Sequence, residues 1–104
     1  MAQQLDSENC SKILKGMADA GRLRIIECLC DGAETVGNIA RKLGMPMRSV
    51  SHHLKKLRSA GLVTSTRKGR FILYSISPLV SHQRSNLSLH VLDFGCFRIE
   101  LGSK

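Results

Sequence analysis

Between residues 35 and 92 this chain has no aspartate and no glutamate. All eight acids (Asp6, Glu8, Asp19, Glu27, Asp31, Glu34, Asp93 and Glu100) lie outside that window. Ten bases lie within it: Arg41, Lys42, Arg48, Lys55, Lys56, Arg58, Arg67, Lys68, Arg70 and Arg84. A surface kept only for solubility mixes both signs, so this asymmetry argues against one. With a net charge of +8, it favours an anionic partner, nucleic acid ahead of membrane. No apolar run approaches the roughly 20 residues that span a bilayer. The opening MAQQLDSENC lacks the apolar core of a signal peptide, so a cytoplasmic protein is expected. Its four cysteines are then expected as thiols rather than as a disulfide framework. No nucleophile–base spacing and no phosphate-binding glycine loop is present, so no enzyme and no cofactor are expected. Repeats and low-complexity segments are absent too. What remains is one domain over 104 residues, a core over 7–77 with a tail over 78–104.

The organising stretch is Pro46–Gly61, PMRSVSHHLKKLRSAG. Val50, Leu54 and Leu57 recur at helical spacing and form an apolar stripe. Arg48, Ser51, His52, Lys55 and Arg58 lie on or beside the opposite side, which offers donors and positive charge. One face for a small core and one for a polyanion is what reading DNA in the major groove requires.

The rest of the chain falls into place around it. Asp6 or Ser7 suits the cap of a helix over about 7–18, with Ile13, Leu14 and Met17 inward. Asp19-Ala20-Gly21 breaks that helix. A second is expected over Arg22–Cys30, with either Leu23, Ile26 and Cys30 or Ile25, Cys28 and Leu29 inward, and with a left-handed cap at Asp31-Gly32. Thr35 suits the cap of a third, Val36–Leu43, which Gly44 ends. Pro46 then suits the first turn of the fourth. Helix, glycine turn, helix is a helix-turn-helix pattern. Val63–Arg67 and Arg70–Ile76 are expected as strands of a hairpin turning at Lys68-Gly69. Its tip carries Arg67, Lys68 and Arg70, suited to phosphate or minor-groove contact. The expected fold is therefore α+β, mainly α: a winged helix-turn-helix with a two-stranded wing.

Four phrases carry a family resemblance: MADAGRLRIIECL, TVGNIARKLGM, SVSHHLKKLRSAGLV and TRKGRFILYSI. Residues 17–76 resemble the ArsR/SmtB-type winged-helix repressors of bacteria. The resemblance implies a homodimer that binds palindromic double-stranded operator DNA and represses transcription, in many members until a metal or metalloid binds. Carried onto matching positions, it makes Met47–Ser59 the recognition helix. Met47, Arg48, Ser49, Ser51, His52 and Lys55 become its groove-facing candidates, and Arg67, Lys68 and Arg70 those of the wing. This chain also departs from the pattern. Ala20-Gly21 stands where the family often has Pro-Thr, and Pro46 replaces the usual capping serine. Val36-Gly37-Asn38-Ile39 occupies the ground of the thiolate pair of metal sensors. A winged helix that contacts only other proteins is the alternative function, and it predicts an apolar or mixed-charge recognition face. No inducer, small molecule or metal, is legible in the residues.

Cys28 and Cys30 are two apart, rotated by about 200° on a helix, so they are expected as separate core fillers rather than a metal site. His52-His53 is accounted for by DNA contact and helix packing. His82 and His90, with Asp93 and a second subunit, make only a loose imitation of a tail metal site; Cys10 and Cys96 lie near opposite termini, and nothing in the sequence demands that they meet in a dimer. No metal site is expected. In the tail, Leu79–Arg84 supports at most a short helical turn, interrupted by Ser85-Asn86. From Leu87 the residues alternate, Leu87, Leu89 and Val91 apolar against Ser88 and His90. They alternate again with Phe97, Ile99 and Leu101 opposite Arg98 and Glu100, after a phase shift at Gly95-Cys96. Period two predicts an extra C-terminal strand over about 94–101, paired to a sheet edge in the wing or across a dimer. The competing reading is a helix from Pro78 to Phe94, as in the relatives.

Overall fold

The computed structural model describes residues 7–84 and 89–102. Four helices come first: α1 (Ser7–Met17), α2 (Ala20–Leu29), α3 (Val36–Leu43) and α4 (Met47–Ser59). Five strands follow: β1 (Val63–Lys68), β2 (Phe71–Ile76), β3 (Ser81–Arg84), β4 (His90–Asp93) and β5 (Arg98–Leu101). β1 and β2 form a two-stranded antiparallel sheet, and β3-β4-β5 form a second, three-stranded one.

Caps set the helix boundaries. Asp19 caps α2, its carboxylate accepting from the Arg22 backbone N–H at 3.0 Å. The residues expected only to break α1 therefore also start α2, two residues earlier than the pattern indicates. The left-handed cap expected at Asp31-Gly32 is absent: Cys30 ends α2 in right-handed geometry, and Gly32 has a φ of 135°. Thr35 caps α3 by accepting from the Asn38 N–H at 3.2 Å, and Gly44 ends it at φ 64°, both as expected. Pro46 has no side chain with which to cap α4 and makes no such bond.

Burial follows the apolar stripes. Val50, Leu54 and Leu57 of α4 are buried against Ile25, Ile26 and Leu29 of α2, Ile39 of α3, and Leu62 and Val63 at the root of β1. Both stripes weighed for α2 are used, since Leu23, Cys28 and Cys30 pack half-buried beside the first three. In α1, Met17 is buried and Ile13 half-buried, but Leu14 is 51% exposed and does not belong to the inward face.

The tail departs most from the sequence reading. Where a helical turn was expected over 79–84, β3 pairs with β4, His82 opposite Leu92. β5 is the expected strand, with Ile99 and Leu101 half-buried and Arg98 and Glu100 exposed. Its partner is β4 rather than the wing, with Leu92 opposite Ile99. The bend at Gly95-Cys96 is present, Gly95 having a φ of 91°. In β4 the phase is the reverse of the apolar count: His90 and Leu92 are buried, and Val91 is half-buried. Leu92 and Phe94 enter the same core as α4, and Phe94 stacks on Phe97 with ring centroids 4.9 Å apart. Cys10 and Cys96 are joined within one chain, Cα atoms 6.4 Å apart, which overturns the expectation of four thiols. The Asp6 cap, the Ser85-Asn86 break and the Leu87-Ser88 start of the alternation lie outside the described residues.

Candidate nucleic-acid interface

The turn between α3 and α4 is built from backbone. Met45 N–H donates to the Ala40 carbonyl at 3.0 Å, and Val50 N–H to the Pro46 carbonyl at 3.1 Å. The Arg24 guanidinium of α2 donates to the Leu43 carbonyl at 2.8 Å, supplying a partner at the C-terminal end of α3. α4 is thus held at its start by the glycine turn and along its length by three buried side chains.

Its outward side carries the candidates. Counting about 100° per residue, Met47, Ser51, Lys55, Arg48 and His52 spread over an arc of about 140° that begins beside Leu54 at the edge of the buried stripe. All five are exposed, Met47 at 58%. Ser49 is half-buried and lies outside that arc, so the fold does not bring it together with the rest. Arg58 and Ser59, also exposed, fall inside it. Helical spacing already puts Arg58 on the outer side, though the family pattern leaves it out of the groove candidates; Ser59 is the residue that the reading passed over.

The two adjacent histidines have separate roles. His52 is exposed. His53 turns inward, its Nε2 3.7 Å from the Asp19 carboxylate that caps α2. A Cβ at Gly21 would lie 2.9 Å from that nitrogen, so the glycine standing in place of the family's Pro-Thr leaves room for the ring. The Asp19 carboxyl is held below its usual range, chiefly by the Arg22 N–H and further by His53.

The wing is aimed by α3. Glu34 and Tyr74 exchange backbone hydrogen bonds of 2.9 and 2.8 Å, tying the approach to α3 to β2. Lys68 pairs with Phe71, so the two turn residues are Gly69 and Arg70, one residue later than expected. Gly69, at φ 64°, supplies the positive angle that primed hairpin turns need at their first position. Arg67, Lys68 and Arg70 are all exposed at this tip, and the Arg67 Nε–H donates to the Gly69 carbonyl at 3.2 Å. Phe71 and Ile72 beside them are 60% and 49% exposed.

The carboxylate at the approach to α3 is paired. Lys42 donates to Glu34 Oε1 at 2.6 Å. That hydrogen bond lowers the Glu34 carboxyl and raises the Lys42 ammonium from their ordinary values. Exposed cations on α4 and the wing therefore face solvent with no carboxylate from 35–92 among them.

Cysteine and histidine side chains gather elsewhere. Cys30, His82 and His90 place their ligand atoms within 4.8 Å of one another, in one chain. Cys28 stays apart, packed on the core, and burial raises its thiol pKa. Helical spacing correctly separates the two cysteines, but it gives no warning that Cys30 meets two tail histidines. That depends on the β3–β4 register.

Among the described residues, no helix is long and apolar enough to cross a membrane. Residues 19–65 match the model of the family described as bacterial regulatory protein, arsR family. The chain is 33% identical to the transcriptional repressor SdpR of Bacillus subtilis, over 82% of this chain and 94% of that protein. It is 39% identical to the transcriptional regulator NmtR of Mycobacterium tuberculosis, over 69% of this chain and 62% of that longer protein. A homodimeric winged helix-turn-helix DNA-binding domain of Mycobacterium bovis superposes with a TM-score of 0.65 at 33% identity, covering 74% of this chain and 76% of that one. The helix-turn-helix, the basic wing and these likenesses agree: this chain belongs to the ArsR family of bacterial transcriptional regulators, DNA-binding winged-helix proteins that are not enzymes.

Proposed function

We propose that the protein is a homodimeric repressor that reads duplex DNA with the outer arc of α4 and grips phosphate with the wing. The observation that carries this reading is the arc itself: Met47, Arg48, Ser51, His52 and Lys55 exposed on one side of a helix whose other side is buried. Arg48, His52 and Ser51 are the donors suited to base edges. Lys55, Arg67, Lys68 and Arg70 are the cations suited to phosphate, with Arg58 added at the far end of the helix. Residues 1–104 act as one domain in the cytoplasm. Dimerisation rests on α1 and the segment leading into the tail, where Leu14 and Leu79 are 51% and 89% exposed.

The protein-contact alternative calls for an apolar or mixed-charge recognition face. The α4 arc has one apolar side chain, Met47, and no acid. The test is selection of genomic DNA fragments by the purified protein, followed by sequencing and footprinting. The expected result is enrichment of fragments sharing an inverted repeat, protected on both half-sites. Uniform recovery of all fragments at every salt concentration would exclude an operator-reading repressor.

A further inference from the structure

We propose that Cys30, His82 and His90 form a zinc-class divalent-metal site, backed by Asp31, that fastens the tail sheet to the end of α2 within one chain. Each part comes from a different piece of sequence. Cys30 is the residue that ends α2. His82 lies on β3 and His90 on β4, and the antiparallel pairing of those strands sets their rings side by side, centroids 5.1 Å apart. His82 Nε2 and His90 Nδ1 are 3.0 Å apart, and one ligand nitrogen of each ring and Cys30 Sγ all lie within 4.8 Å of one another. In a tetrahedral site with bonds near 2.0–2.1 Å to nitrogen and 2.3 Å to sulfur, neighbouring ligand atoms sit roughly 3.3–3.6 Å apart. The histidine nitrogens need to open by a few tenths of an ångström, and the sulfur needs to close by at most about 1.2 Å.

Two further features point to a cation. His90 is buried, and its other nitrogen, Nε2, lies 3.5 Å from Asp31 Oδ1. A carboxylate behind a ligating imidazole fixes the tautomer that leaves the inner nitrogen's lone pair for the metal. The site also stands at the C-terminal end of α2, where the carbonyl ends of the helix favour positive charge. One thiolate with two imidazoles is a borderline-soft donor set that suits zinc and cobalt(II) over magnesium or calcium. The bonds formed are Cys30 Sγ, His82 Nε2 and His90 Nδ1 to the ion. The thiol proton leaves to solvent, each imidazole keeps one proton, and a water takes the fourth position.

The experiment is titration of the full chain with cobalt(II) and then zinc. The optical spectrum reports sulfur ligation, and equilibrium dialysis reports stoichiometry. One ion per chain is expected, with a sulfur-to-cobalt charge-transfer band and tetrahedral ligand-field bands that zinc abolishes. Cys30→Ser should remove the charge-transfer band, His82→Gln should lose tight binding, and Cys28→Ser should change nothing. Asp31→Asn, which leaves all three ligands, should weaken binding roughly 10- to 100-fold. Circular dichroism confirms that each variant is folded, and His82→Gln carries the test if Cys30→Ser is not. No stoichiometric uptake would overturn the proposal. So would binding that folded His82→Gln leaves intact, or half an ion per chain, which would place the site between copies.

Discussion

The helix-turn-helix and wing on one side and the tail on the other are held together in different ways. From α2 to β2, structure follows from local signals: a cap at Asp19, a cap at Thr35, a left-handed Gly44, and apolar residues at helical or alternating spacing. The tail sheet is short-stranded, four residues in each strand. It is fixed by partners distant in sequence: Cys10 to Cys96, His90 against Asp31, and Leu92 and Phe94 in a core otherwise built by the helices and the root of β1. Local periodicity specifies the first half. Long-range contact specifies the second.

Core substitutions test this contrast most severely. Leu54→Ala in α4 and Leu92→Ala in β4 each remove a fully buried side chain, and each should cost about 2–5 kcal/mol. Urea unfolding should remain a single transition in both, because the two residues share one core. A Leu92→Ala protein that loses only its tail signals, with helix unfolding unchanged, would show the tail to be an appendage. Reducing the Cys10–Cys96 bond should come next. It closes a loop spanning 86 positions, so its loss should lower stability by about 2–4 kcal/mol, read from the urea midpoint with and without reductant. Thr35→Ala removes one cap bond and should cost about 1 kcal/mol while leaving the tail sheet's amide exchange unchanged.

The smallest effect is the dependence on pH. Asp19 and Glu34 have folded-state pKa values below their ordinary ones, so their contributions are present at neutral pH. They are lost as pH falls through the carboxylate range. Lys42 is raised, so its contribution is full at neutral pH and lost only as pH rises through its folded value. Lys42 is exposed and Asp19 and Glu34 are only half-buried, so solvent screens these pairs; a gentle acid-side decline in melting temperature is expected, and Thr35→Ala should not alter its shape.

The same contrast explains what could be read from sequence. Thr35, Val36–Leu43, Gly44 and Met47–Ser59 were legible because a helix's caps and its stripe lie within a few residues of one another. The wing was legible to within one residue, since Gly69 satisfies its turn whether it is counted first or second in the loop. The exposure of the α4 candidates was legible from helical spacing, Ser49 alone among them being half-buried. His90 was misread because a histidine counts as polar in an alternation. Its burial depends on Asp31 and His82, which lie far away or across a strand. The strand over 98–101 was visible from period two, but its partner was not, because β3 carries too little apolar pattern to announce itself.

Reading by α4 and gripping by the wing separate most directly in one binding experiment. Affinity for an enriched duplex and for a scrambled duplex is followed by anisotropy across a salt series. It is measured for the unaltered protein, for Lys68→Ala with Arg70→Ala, and for Arg48→Ala with His52→Ala. The wing pair should weaken both duplexes alike and reduce the slope of log K against log salt by about two units. The helix pair should close the gap between the duplexes, losing about 1–3 kcal/mol per base-reading side chain on the enriched one. Binding that ignores salt, or a helix pair that leaves the gap between duplexes untouched, would contradict DNA reading by this face of α4.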